Sequence, residues 1–534
     1  MEEPAQAPRW WQTRLFVIAV TLIAALPLLR PEIPPLVDLP GHMGRYRVQL
    51  ALADHPFLNE WFDFRWQLIG NLGIDLLIIP FAKVFGLELG VKLIVIAIPA
   101  LTVSGLLWIA REVHGRIPAT ALFALPLAYG YPFHFGFVNF ALSMALAFNA
   151  FALWLRLART GHFRLRAGLF LPLSCLLWLC HTFGWGVLGV MAFSAELMRQ
   201  HDAGRRWHRA FFHAGVACIP LALPMALMIF WRSGDHVGGQ TADWFNWQAK
   251  IGWIVMVFRD RWEWFDIASM AVVLMILIKG LRDPNIEYSR NLGLSAAFLL
   301  LVFILLPRIV FGSAYADMRL VPFMIAIGVI ALRPKAGLSI RGTSVLATLG
   351  LIFFLVRIGA TTASFWIYAQ SYERQLKALD HVPVGAKLVS FVGEKCYSDW
   401  SGHRLEHLPA IALERRLAYS NDQWSMAGAQ LLTTRYAAAK RYAHDPSEIV
   451  TGVQCPREWW RPISTSLARF PREAFDYVWL IDPPAYDARL ATGLVETWRD
   501  GNNVLYRVDH SQPGPVVSDV ELRAPLTPPR RRVQ

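Results

Sequence analysis

The chain has 534 residues, 55% of them hydrophobic, with 22 Trp and a mean hydropathy of +0.36. That leaves too little polar surface for a soluble globule of this size and points to a polytopic membrane protein. The formal charge of +13 does not make it a nucleic-acid binder, because much of the excess Arg and Lys stands in short clusters between apolar runs, as the positive-inside rule requires.

Apolar runs of about 20 residues, relaxed where helices are short or half-buried, predict a polytopic α-helical fold of about eleven transmembrane helices. They cover 15–30, 89–110, 117–132, 138–156, 167–181, 183–198, 210–231, 265–280, 291–308, 319–333 and 343–366. The first lacks a small-residue cleavage site and runs into Arg30, Pro31 and Glu32, so it reads as a retained span rather than a signal peptide. A cytoplasmic N-terminus puts Arg111, Arg116, Arg156, Arg159, Arg164, Arg166, Arg199, Arg205, Arg206, Arg209, Arg333, Lys335 and Arg341 on the inner side. The turns at 131–138 and 181–184, assigned to the outer side, carry no Lys or Arg.

The apolar segment 70–85 holds Asp75, Pro80 and Lys83, and counting it as a span would reverse every later loop. It is expected to be a helix lying in the interface, within a first outer loop of residues 31–88. A second interfacial element is expected between Trp231 and Asp266, where Trp244, Trp247, Trp253, Trp262 and Trp264 suit the headgroup level. Asp235 and His236 in the Gly-rich stretch 234–239 read as a lid over a cleft.

After a membrane domain of 1–366, the texture changes to mixed polar sequence. Strand-like pieces at 387–392, 477–481 and 503–508, with helical patterns near Leu413 and over 426–443, predict a small outer α/β domain over 367–510. Residues 511–534, rich in Pro and Arg, read as a disordered tail. Cys175, Cys180 and Cys218 fall in spans. Cys396 and Cys455 fall in the outer domain, where an oxidising compartment would let them pair. No zinc-type cysteine spacing exists.

The chemistry-bearing residues crowd the outer interface. Pro40 suits the first turn of a helix, so Asp38 stands just before its N-terminus while His42, Arg45 and Gln49 share one face. The carboxylate could accept a proton from a hydroxyl or help hold a divalent cation such as Mg²⁺ or Mn²⁺, and His42 and Arg45 could bind phosphate oxygens. Alternatively Asp38 only caps the helix and Arg45 reaches to lipid headgroups. Asp317 and Arg319, with Arg308 at the end of the preceding span, form a second group of net positive charge suited to an anionic headgroup or leaving group, or merely to a helix cap. Asn71 and Asp75 lie one turn apart and could face the cleft of Asp38. Asn139 and His181 are further polar residues at the outer turns, which could equally be packing residues. No Walker motif, dinucleotide fingerprint, nucleophile elbow or metalloprotease helix is present.

This arrangement resembles the GT-C superfamily of membrane glycosyltransferases, which includes protein O-mannosyltransferases and lipid A aminoarabinose transferases. The shared features are an inner N-terminus, an acidic residue in the first outer loop matched by Asp38, interfacial helices after it, 11 to 13 spans and a C-terminal outer domain. Asp38 to His42 with Arg45, Asn71 to Asp75, Gly136 to Phe140, His181 and Asp317 to Arg319 look like a bacterial branch of that superfamily. The resemblance implies inverting transfer of a sugar from a polyprenyl-phosphate carrier to a glycan, lipid or protein acceptor at the outer face of the bacterial inner membrane. Asp38 would be base or metal-associated carboxylate, with Arg45, Arg308 and Arg319 meeting the carrier phosphate. Better-known members often carry a second acidic residue in the turn before the fourth span, where this chain has His134 and Asn139. A secondary transporter or a nonenzymatic lipid or glycan assembly protein are the alternatives; the first typically shows paired halves with midplane breaks.

Overall fold

The computed structural model describes residues 8–232, 240–335, 339–397, 399–425, 430–456, 458–518 and 522. The chain divides into two compact units, one of residues 1–34 and 67–366 with 427–429, the other of 35–66, 367–426 and 430–534.

The first unit is helical. Among the described residues, Leu87–His114, Val138–Arg159, Phe163–Cys180, Glu263–Arg282 and Ile340–His381 are long and apolar enough to cross a membrane, and the bent pair Trp207–Ala217 with Ile219–Ile229 makes a sixth if it is one span. Leu87–His114 and Val138–Arg159 pack against each other at the centre. Phe163–Cys180, Glu263–Arg282 and Ile340–His381 bury only 33% of their most apolar stretch, leaving side chains such as Leu171, Leu176, Met275 and Ile352 exposed. In water that surface would be costly; against lipid it is the expected one.

The remaining predicted spans are also helical but shorter or less apolar: Arg14–Ile23, Thr182–Asp202, Arg290–Leu305 and Ala316–Ile330. The stretch expected to span at 117–132 holds a 3₁₀ helix, Ala119–Tyr129, with every residue buried. At roughly 2.0 Å per residue it covers about 22 Å, short of a hydrocarbon core of about 30 Å. Pro126 inside it removes an N–H. On the side read as inner, Arg159 pairs with Glu112 at 2.9 Å and Arg166 with the buried Glu196 at 2.6 Å. The two elements read as interfacial are the helices Gly73–Phe85 and Trp247–Val255; the stretch 233–239, with Asp235 and His236, lies outside the described residues.

The second unit is α/β. Its six-stranded sheet runs, edge to edge, Arg461–Pro462, Ile449–Thr451, Leu388–Glu394, Tyr477–Ile481, Asn503–Val508 and Leu494–Asp500. The first four strands are parallel and the last two join antiparallel. All three strands read from the sequence are present. The helical reading of 426–443 is not: Leu432–Thr434 is a strand and Ala437–Tyr442 a 3₁₀ turn, and 426–429 lie outside the described residues.

Residues 35–66 differ from the sequence reading in their allegiance, having been grouped there with the spans. They supply Val48, Leu58, Trp61 and Phe62 to the core formed by Val389, Phe391, Tyr419, Tyr436 and Phe475, and Phe62–Phe64 pairs antiparallel with Leu432–Thr434. Their buried apolar area is spent inside the second unit, which is why contacts draw them there. Of the tail expected to be disordered, Val517 and Leu522 pack against this core, and 519–521 and 523–534 lie outside the described residues.

Cys396 and Cys455 are joined, 59 residues apart in sequence. The link ties the loop after Leu388–Glu394 to the loop after Ile449–Thr451. Replacing both with Ser is expected to lower the unit's stability by about 4 kcal/mol on chain-entropy grounds, read as a lower denaturation midpoint of the full-length protein.

Candidate functional site

In the second unit, helix Leu39–Ala51 begins at Asp38 with Pro40 in its first turn. The Asp38 side chain makes no capping hydrogen bond to that helix, so the capping reading does not describe its use. It is 8% exposed, and its charge bears on His407. Gly41 is what allows the approach: a Cβ there would stand 2.6 Å from the Trp424 ring and 3.4 Å from Cβ of His407. His42 lies over the same indole, ring centroids 5.0 Å apart, and His407 lies 4.4 Å from it. Both imidazoles are tilted against the Trp424 ring, and Gln423 Nε2 donates to the Gly41 carbonyl at 3.3 Å.

Arg45 is buried, at 2% exposure. Its guanidinium donates to Oε1 of Gln430 at 2.5 Å and lies 5.1 Å from the Tyr46 ring. Arg47 fixes the helix by donating to the carboxylate and carbonyl of Glu414 at 2.6 and 2.9 Å. Gly41→Ala is expected to displace Trp424 and cost about 1–3 kcal/mol, the usual range for overpacking. A shift in tryptophan emission together with a lower melting temperature checks it.

His407 is the electrostatic focus. Burial works against its charged form, but Asp422, Glu406, Asp445 and Asp38 outweigh burial and push the imidazole up to about 10. Glu406 is raised to about 6, by burial first, against the pull of His407 and His403. Sequence reading missed this group: its members are scattered over forty-odd positions with no ligand-type spacing, and only the adjacent pair Glu406 and His407 offered a signal.

The other candidate residues lie in the first unit. Asn139 gathers Asn71 and Asp75, donating from Nδ2 to Oδ1 of Asn71 at 3.1 Å and to Oδ2 of Asp75 at 3.0 Å, while its Oδ1 accepts from the N–H of Ile74 at 2.7 Å. The start of helix Gly73–Phe85 is clamped here because Gly73 meets Cys180 closely; a Cβ would lie 2.4 Å from its sulfur. The Leu72 N–H donates to the Leu179 carbonyl at 2.8 Å, and the Thr182 N–H to that of Gly70 at 3.0 Å. His181 caps helix Thr182–Asp202, its Nδ1 accepting from the Phe183 N–H at 3.1 Å. Asn71, Asp75 and Asn139 thus meet at the start of helix Gly73–Phe85, and His181 holds the start of helix Thr182–Asp202.

Asp317 meets a partner that the sequence did not single out. It pairs with buried Lys250 at 3.1 Å, and Lys250 also donates to the carbonyls of Phe303 and Leu306, each at 2.8 Å. Arg308 pairs with Asp243 at 2.5 Å. Arg319 donates to Ser313 Oγ at 3.2 Å and lies over the Phe137 ring at 4.0 Å, close enough for its charge to bear on His181. Lys250, on helix Trp247–Val255, is the cation seen on Asp317.

A buried network was also missed. Arg357 donates to Asp266 at 2.6 Å and to the Phe258 carbonyl at 3.1 Å; Asp266 accepts from the Asp260 N–H at 2.9 Å, and Asp260 from Ser364 at 2.8 Å. Its signal was visible: an arginine inside the apolar run 343–366 needs a partner.

No described protein family and no curated protein matches the sequence. One solved structure is similar along most of the chain. It is the crystal structure of ArnT from Cupriavidus metallidurans in the apo state, 12% identical, with a TM-score of 0.47, covering 92% of this chain and 97% of that one.

Proposed function

We propose that the protein is an integral-membrane glycosyltransferase of the GT-C type. It moves a sugar from a polyprenyl-phosphate donor to a glycan, lipid or protein acceptor at the outer face of the bacterial inner membrane. In this reading the chain crosses the membrane about eleven times, its N-terminus is cytoplasmic and its C-terminal domain periplasmic. The Cys396–Cys455 bond is consistent with that compartment.

The observation that carries the reading is Asp38: a carboxylate at the start of a helix, making no capping hydrogen bond to it, whose charge reaches His407, the imidazole that with His42 lines the Trp424 ring. Aromatic and imidazole faces of this kind suit a sugar ring, and a carboxylate beside them suits a hydroxyl. The acceptor hydroxyl attacks the anomeric carbon as the bond to the carrier phosphate breaks. Asp38 takes the hydroxyl proton, the carrier phosphate leaves with the bonding pair, and the anomeric configuration inverts. His42 and Arg45, on the helix that Asp38 begins, supply positive charge that favours a phosphate leaving group.

The test is product formation by the purified protein in lipid nanodiscs, across a panel of synthetic polyprenyl-phosphate hexoses and pentoses. Donor consumption with an inverted product, or donor hydrolysis to the inverted free sugar, is expected. A well-folded protein that neither binds nor turns over any donor would favour the transport or assembly reading instead.

A further inference from the structure

The second unit gathers a set of acidic groups around His407 that the transfer reaction does not use. Glu406, His407 and Asp445 each bring one ligand-type atom into a common volume, all within 4.8 Å of one another. Glu406 and His407 precede helix Ala410–Arg416, and Asp445 precedes strand Ile449–Thr451, so the fold alone brings them together.

A separate feature points into the same volume. Glu448 is fully buried, and among the described residues neither of its carboxylate oxygens meets an N–H or O–H donor. What its carboxyl group faces are other carboxyls, those of Asp445, Asp422 and Glu406. Asp422 is buried too, its Oδ1 accepting from Ser420 Oγ at 2.6 Å and its Oδ2 standing 3.7 Å from Nδ1 of His407. Carboxyls turned toward one another are relieved by a shared proton, as within reach between Glu448 and Asp445, or by a cation between them, and a single imidazole is one charge against four acids, of which Glu448 and Asp422 are fully buried.

We propose that Glu406, His407 and Asp445 bind a divalent transition cation, with Glu448 closing the fourth position. An imidazole beside carboxylates suits Zn²⁺ or Mn²⁺ better than Mg²⁺ or Ca²⁺, which prefer an all-oxygen shell. Bonds of about 2.1 Å would draw the ligand atoms together by small side-chain rotations. This site is distinct from a cation held by Asp38 itself, although Asp38 adds to the negative field that reaches His407. It does not depend on the glycosyl-transfer reading, since the cation could tie the loops of this unit together whatever reaction the protein performs.

The test uses full-length protein, purified, stripped with chelator and titrated with Mn²⁺ by electron paramagnetic resonance and with Zn²⁺ by competition. One equivalent should bind and raise the melting temperature. Glu406→Gln and Asp445→Asn should each weaken binding by at least about tenfold, with melting in chelator near that of the wild type. Glu448→Gln, which keeps shape and removes charge, should weaken binding while matching or exceeding wild-type stability in chelator. Stripped, folded wild type that takes up neither cation would overturn the proposal, whatever the variants do. So would variants that bind as tightly as wild type.

Discussion

Asp38→Asn is expected to lower kcat for transfer by about 10²–10⁴-fold, the usual contribution of a positioned general base. The KM for donor should change by no more than about threefold, because the amide keeps the size of the carboxyl while losing its charge and its ability to take a proton. The fold should survive: the Asp38 side chain does not cap its helix, and Arg47 with Glu414 holds that helix in place. One side effect is built in. Removing the Asp38 charge takes away one of the groups that favour the protonated His407, so a melting curve of the variant belongs beside its kinetics. A loss of activity with an unchanged melt places the defect in the chemical step.

The second large effect is on stability. Arg357 and Asp266 are both buried in the first unit and meet at 2.6 Å, with the guanidinium 4.9 Å from the rings of both Phe258 and Phe265. Arg357→Met leaves the carboxylate of Asp266 without its charge partner, and removing one member of such a pair costs about 3–5 kcal/mol. Arg357→Met with Asp266→Leu should recover much of that loss, because an apolar pair needs no compensation inside the helices. The double-mutant cycle, read by thermal unfolding in a single detergent, should therefore show strong positive coupling. Additive losses would mean that each side chain is supported mainly by other groups.

Much of the fold is written in one-dimensional pattern. Apolar runs become the helices of the first unit because burial against lipid or against a neighbour asks only for length and apolarity, and the strands at 477–481 and 503–508 coincide with their predicted limits because both are apolar pieces bounded by polar turns. What pattern could not give was allegiance. Residues 35–66 follow a predicted span in sequence, yet their aromatic residues complete a core whose other half begins at Val389. The 3₁₀ run at 119–129 is apolar almost throughout, and Pro126 does not set it apart, because α-helices such as Leu87–His114 and Phe163–Cys180 also hold an internal proline.

The candidate residues divide in the same way. Asn71, Asp75 and Asn139 were each marked by being polar at an apolar boundary, and they do meet. Asp317 was marked too, but its partner was misread, because Lys250 lies 67 residues away and nothing local announces the pairing. Trp424 and Glu448 carried no mark at all, and His407 only its neighbour Glu406, since an isolated aromatic or carboxylate in a mixed polar sequence is unremarked until the fold brings it beside another.

The reading of Asp38 as the base stands or falls on one comparison: wild type and Asp38→Asn on a radiolabelled polyprenyl-phosphate sugar, with donor binding measured on the same nanodisc samples. Transfer or hydrolysis by the wild type, lost in the variant while donor still binds, is the predicted result. A variant that turns over donor at the wild-type rate would contradict it.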